Sequence, residues 1–138
     1  MLKVFVQKSH SSCKKLLNWL ERQDFDYEKR FIDKDPLSAE EILGLVTFTK
    51  NGFEDILSYR SLKILFNFTE KDIESFTVNE LVALMAKHPA LIKKPIALRG
   101  EQLFTGYDNT QVSELIPKEQ RFYRRMKFYV MSETNVKR

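Results

Sequence analysis

The residues whose types and spacing could do chemistry gather near the N-terminus. Four consecutive positions, His10-Ser11-Ser12-Cys13, lie between an alternating apolar run and an amphipathic one. A His-x-x-Cys pair has metal-ligand spacing, and a thiol at the start of a helix is activated by unpaired backbone amides and the helix dipole. Plainer readings stand beside these. Cys13 is the single cysteine of the chain, so no internal disulfide can form. It also opens the stripe Cys13, Leu16, Leu17, Leu20, where a buried and inert thiol is expected. His10 reads equally as a polar loop residue. Only His88 remains as a further soft ligand, and a structural zinc takes four, so neither metal nor cofactor is expected. Farther along, Lys93-Lys94 precedes Pro95. Two cations there either hold an anion or are simply solvated, and both readings stay open.

Ordered elements must position these groups. Leu2 to Val6 is rich in strand formers and predicts a first strand. The stripe from Cys13 to Leu20 falls at i, i+3, i+4, i+7 and predicts a helix, with Ser11 or Ser12 as its N-cap and an end near Gln23-Asp24. Phe25, Tyr27 and Phe31 alternate, so 25–32 reads as a second strand. A strand, helix, strand opening favours a parallel pair joined by a right-handed crossover.

The middle of the chain reads as helical. Ser38-Ala39-Glu40-Glu41 has capping-box spacing before Ile42, Leu43, Leu45 and Val46, and Asn51-Gly52 is predicted to end that helix as its C-cap. Short helices are predicted over 60–66 and 70–75. Thr77-Val78-Asn79-Glu80 is a second capping box, opening a helix that stops at His88-Pro89. Ile96–Leu98 and Gln102–Phe104 flank Gly100 as a hairpin. Asp108 or Asn109 is the expected cap of another helix carrying Val112, Leu115 and Ile116, and 118–131 reads as a last, basic helix.

At 138 residues, 43% hydrophobic and 30% charged, the chain has the size and composition of a single folded domain. No apolar run approaches the roughly 18 residues of a membrane span, and no signal-peptide hydrophobic region follows Met1. A cytoplasmic location without membrane contact is therefore expected. The net charge of +4 is concentrated from Lys118 onward, where seven Lys and Arg face Glu119 and Glu133. Such a stretch suits an acidic partner or a nucleic-acid backbone, or serves only as a solvated face.

The order of strand, loop, helix, strand, helices and X-Pro hairpin resembles the thioredoxin plan. The residue matches narrow this further. They are Ser9-x-x-x-Cys13-Lys14-Lys15, Trp19-Leu20-Glu21, Pro36-Leu37-Ser38-x-x-Glu41-Ile42, Asn51-Gly52-x-x-x-Ile56, Arg60-Ser61, His88-Pro89-x-Leu91-Ile92-Lys93-Lys94-Pro95-Ile96, Gly106-Tyr107 and Leu115-Ile116-Pro117. On these the chain resembles the family that joins arsenate reductases of the glutaredoxin-coupled type (ArsC) to the Spx regulators of RNA polymerase, over roughly residues 2–125 and closer to Spx.

The resemblance implies an α/β fold of thioredoxin-like build: a mixed four-stranded sheet with helices and an inserted helical subregion at about 38–92. That gives a domain over 1–117 followed by a basic helix and tail over 118–138. It further implies a cis Lys94-Pro95 bond with the third strand from Ile96. Two departures bear on function. The family's nucleophilic cysteine is replaced by His10, and the arginine that steadies arsenate is replaced by Lys94, which lacks the bidentate fork. Cys13 matches the second cysteine of the Spx redox switch but has no partner. The surface corresponding to Asn51-Gly52 docks the C-terminal domain of the RNA polymerase α subunit in Spx proteins, and Arg60 is placed to reach that partner or promoter DNA phosphates. The resemblance thus implies a non-enzymatic transcription regulator acting in stress responses. A thiol-dependent, arsenate reductase-like oxidoreductase is the alternative.

Overall fold

A computed structural model describes residues 1–23, 25–108 and 111–116. The chain divides into compact units at Met1–Tyr107 and Asp108–Arg138. The first carries a four-stranded sheet in the order β2-β1-β3-β4, built from β1 (Leu2–Val6), β2 (Tyr27–Phe31), β3 (Ile96–Arg99) and β4 (Gln102–Thr105). Strand β1 runs parallel to β2, with Val4 opposite Lys29, and antiparallel to β3, with Val4 opposite Ala97. The β3–β4 pair is an antiparallel hairpin whose turn holds Gly100 at φ +59°. A single helix, α1 (Ser11–Arg22), makes the crossover from β1 to β2. The sheet is mixed and thioredoxin-like, as the element order implied.

Between β2 and β3 lie α2 (Ala39–Val46), α3 (Tyr59–Phe66), α4 (Glu70–Glu74) and α5 (Val78–Lys87), with 3-10 turns at Gly52–Asp55 and Pro89–Leu91. Strand alternation sends Phe5 to one face of the sheet and Leu2, Val4 and Val6 to the other. Phe5 joins Ile42, Ile56, Leu62, Leu81, Met85 and Ile96 in the hydrophobic cluster that binds the helical insertion to the sheet. Leu62 is fully buried there, and truncating such a leucine to alanine costs about 2–5 kcal/mol. Among the described residues no helix is long and apolar enough to cross a membrane.

Both expected capping boxes form. The Ser38 hydroxyl accepts from Glu41 N–H at 3.1 Å while the Glu41 carboxylate accepts from Ser38 N–H at 3.1 Å, and Thr77 and Glu80 repeat the exchange. A third box, Thr69 with Asp72, starts α4. Arg30 of β2 reinforces the first box by pairing with Glu41 and donating to the Pro36 carbonyl at 2.7 Å.

Three expected caps are corrected. The N-cap of α1 is His10, extended at φ −78°, ψ 129° and without a side-chain cap bond, while Ser11 and Ser12 lie inside the first turn. The reason is the preceding turn, in which His10 N–H donates to the Gln7 carbonyl and makes His10 the last extended residue. Helix α2 ends at Val46, well before Asn51-Gly52. Its last carbonyls accept from the hydroxyls of Thr47 and Thr49, at 2.6 Å each, so no glycine is needed to close it. After Asp108 the described residues hold a 3-10 turn, Val112–Leu115, beginning from Gln111 with no side-chain cap, and the alternative cap Asn109 lies outside the described residues. The basic helix expected over 118–131 lies outside the described residues.

Candidate functional site

The loop leaving β1 is organised by Gln7, whose type and position in the sequence suggest nothing more than loop filler. Its backbone N–H donates to the Cys13 thiol at 3.4 Å, and its side-chain oxygen accepts from Lys94 Nζ at 2.9 Å. The apolar stripe of α1 draws Cys13 inward until it is 0% exposed. Burial raises its pKa; the Gln7 amide and the Lys94 charge oppose that shift, and Asp33 adds to it. The thiol is thus held in its protonated, unreactive form. Lys94 feels the mirror effect: its half-buried ammonium is desolvated, which lowers its pKa against the opposing pull of Cys13 and Asp33.

His10 stands at the mouth of this loop. Its Nδ1 is shut off from solvent with no hydrogen-bond partner among the described residues. It lines an open groove of about 540 Å³ together with Gln7, Ser58, Arg60, Ser61, Lys93 and Lys94. The groove wall carries three basic side chains and no carboxylate among the described residues. The Lys94-Pro95 bond is cis, as expected, and the Pro95 carbonyl accepts from Gly106 N–H at 2.9 Å. Among the described residues no three His, Cys, Asp or Glu side chains gather as a metal site.

The two candidate anion-binding lysines part company. Lys94 reaches the Gln7 loop while Lys93 reaches the insertion. Lys93 donates through its backbone to the Ile56 carbonyl and through Nζ to the Glu54 carbonyl, both at 2.8 Å. It therefore clamps the turn that carries Gly52.

That turn is a lip from Lys50 to Asp55. The Asp55 carboxylate accepts from Lys50 N–H at 2.9 Å and Asn51 N–H at 3.1 Å, and the Asn51 backbone bond leads the causes that lower its pKa. Gly52 opens the 3-10 turn at φ +70°, a conformation any side chain adopts only under strain. Nothing lies within 4 Å of where its Cβ would stand, so the space in front of it is open. Arg60 is exposed in the first turn of α3, whose N-cap Ser58 accepts from Ser61 N–H at 3.2 Å. The fold thus brings His10, Lys93, Lys94 and Arg60 to one groove, while Asn51 and Gly52 lie outside its lining. Ser58 and Asp55 carried no sequence signal beyond ordinary polar character, and Ser61 was marked only as part of the Arg60-Ser61 match.

This fold recurs in solved structures. An ArsC family related protein from Bacteroides fragilis superposes with a TM-score of 0.71 at 19% identity, over 83% of this chain and 97% of that one. An arsenate reductase from Vibrio cholerae does so at 0.66 and 20%, over 83% and 97%. The chain belongs to the ArsC family, whose profile matches residues 5–115. Within that family its sequence is similar to the global transcriptional regulator Spx of Streptococcus mutans, 32% identical over 121 residues and covering 88% of this chain and 87% of the relative. The protein of the same name from Streptococcus agalactiae is 31% identical with the same coverage. Against these relatives the chain is a variant with one cysteine, Cys13.

Proposed function

We propose that the protein is a cytoplasmic, Spx-like transcription regulator that acts by docking to RNA polymerase rather than by thiol chemistry, and that it modulates stress-response transcription. The observation carrying this reading is the state of the loop. A histidine stands at the position of the attacking cysteine, and the remaining thiol is fully buried, occupied by the Gln7 amide and shifted away from ionisation. Nucleophilic attack needs an accessible thiolate.

The partner proposed is the C-terminal domain of the polymerase α subunit, met by the lip at Asn51 and Gly52. A glycine with open space before it lets a partner backbone approach closely. Arg60, in the first turn of α3, contacts the partner or promoter phosphates. The test is titration of the full chain against the purified C-terminal domain of the α subunit. Saturable binding is expected, and none would end the reading.

The shared fold with an arsenate reductase keeps one rival in view, a thiol-dependent oxidoreductase. Glutaredoxin-coupled arsenate reduction is expected to be absent. Turnover that disappears in Cys13→Ser would favour the rival. The converse experiment restores the missing group: His10→Cys is expected to form a disulfide with Cys13 under mild oxidation, with two titratable thiols falling to none.

A further inference from the structure

Docking at Gly52 gives Lys94 no task, yet its surroundings are those of a reactive amine. Its Nζ is half-buried and donates to a neutral acceptor, Gln7 Oε1. Among the described residues no carboxylate holds Lys94 as a contact ion pair. The titratable groups facing it are the buried Cys13 thiol and Asp33, and burial outweighs both in lowering its pKa. A lowered pKa enlarges the fraction of neutral, nucleophilic amine at any pH beneath it.

The groove selects what that amine meets. Arg60 and Lys93 supply positive charge, Ser58, Ser61 and Thr105 supply hydroxyls, and no acidic side chain among the described residues lines the wall. Such a surface concentrates small anions. An anion that is also an electrophile at carbon, with an oxyanion as its leaving group, matches both halves of the site. We propose that Lys94 is an acylation site whose amine takes the acyl group of a small acyl phosphate held in the groove. The lone pair of Nζ attacks the carbonyl carbon and a C–N bond forms. The C–O bond to phosphate breaks, and phosphate departs with that electron pair and with the proton the amine loses. The product is a neutral amide plus hydrogen phosphate, with no change of oxidation state. Losing the Lys94 charge beside Gln7 and Cys13 changes the electrostatics of the loop without any disulfide.

Acetyl phosphate is the probe. The full-length protein is incubated with it, and initial acetylation rates are read by fragment-ion mass spectrometry at Lys94, at its neighbour Lys93 and at the exposed Lys14 and Lys15 of α1. Lys94 is expected to lead the other three by about tenfold or more. Inorganic phosphate and Arg60→Ala are each expected to reduce that lead several-fold, with folding of the variant checked by circular dichroism. Acetylation of Lys94 no faster than Lys14 overturns the proposal. So does a lead that neither phosphate nor Arg60→Ala diminishes, because the groove would then not hold the reagent. The polymerase is absent from this assay, so its outcome is separate from the docking result.

Discussion

The loop at His10 and the lip at Gly52 sit at two ends of the same ladder of contacts, yet they are built in opposite senses. At the loop, polar groups turn inward: Gln7 satisfies the thiol and the lysine, and Cys13 is sealed from solvent. At the lip, the carboxylate of Asp55 and the ammonium of Lys93 fasten the backbone from behind and leave the space before Gly52 empty. The segment Leu91–Pro95 joins them, since Ser58 N–H donates to the Leu91 carbonyl at 2.7 Å and Lys93 and Lys94 divide between the two ends. The difference teaches that the two ends are fastened separately: Gln7 and Lys94 close the loop, Asp55 and Lys93 hold the lip, and these bonds share no side chain.

The contrast breaks most visibly at Gly52. Gly52→Arg is expected to weaken binding to the C-terminal domain of the α subunit by about a hundredfold or more, since a bulky intrusion at an interface centre costs several kcal/mol. Undiminished binding would remove the lip from the interface. Gly52→Ala separates the strain of positive φ from bulk. Its Cβ meets nothing within 4 Å, so only the conformational cost of about 1 kcal/mol remains, read as a lowering of the thermal midpoint by a few degrees. Loss of binding in both variants in proportion to stability would make Gly52 a turn residue only.

The loop end is sharpened by Cys13→Ser. The hydroxyl keeps the shape and accepts from Gln7 N–H, but it places a more polar group among apolar neighbours. Chemical denaturation is expected to show a loss of about 1–2 kcal/mol, with affinity for the polymerase domain unchanged once the protein is folded. A loss of binding without loss of stability would couple the two ends directly.

The smallest effect is in acid. Glu41, through its hydrogen bond from Arg30, and Asp55, through the Asn51 amide, have pKa values lowered in the fold. A depressed carboxylate pKa means that the unfolded state binds the proton more readily, so the stabilisation is present at neutral pH. It fades as the pH falls below about 4 and through the folded values. Both groups are solvent-screened, so each contributes only a few tenths of a kcal/mol. Asp55→Asn is expected to flatten the acid limb of the stability–pH curve slightly, and an unchanged limb would mean that the lip is not held by that carboxylate.

The sequence by itself determined the strands and helices from β1 to β4 and their order, because their signals are local. Hydrophobic period marks β1 and α1, the side chains of Ser38 and Thr77 satisfy amides three residues away, and Gly100 permits the hairpin turn. The burial of Cys13 was legible in the same way, from its place on an apolar stripe. Where the reading of a local signal failed, another group had taken the role. Threonine hydroxyls close α2, leaving the positive φ of Gly52 to shape the lip instead, and the Gln7 turn makes His10 rather than a serine the first cap. What only the tertiary structure decided is which residues meet. Gln7 joining Cys13 to Lys94, Lys93 bonding the Glu54 carbonyl from the groove wall, and Arg60 arriving across the groove from His10 all link positions from 6 to 87 residues apart. Such contacts depend on the packing of the insertion against the sheet, and no spacing within a single element encodes them.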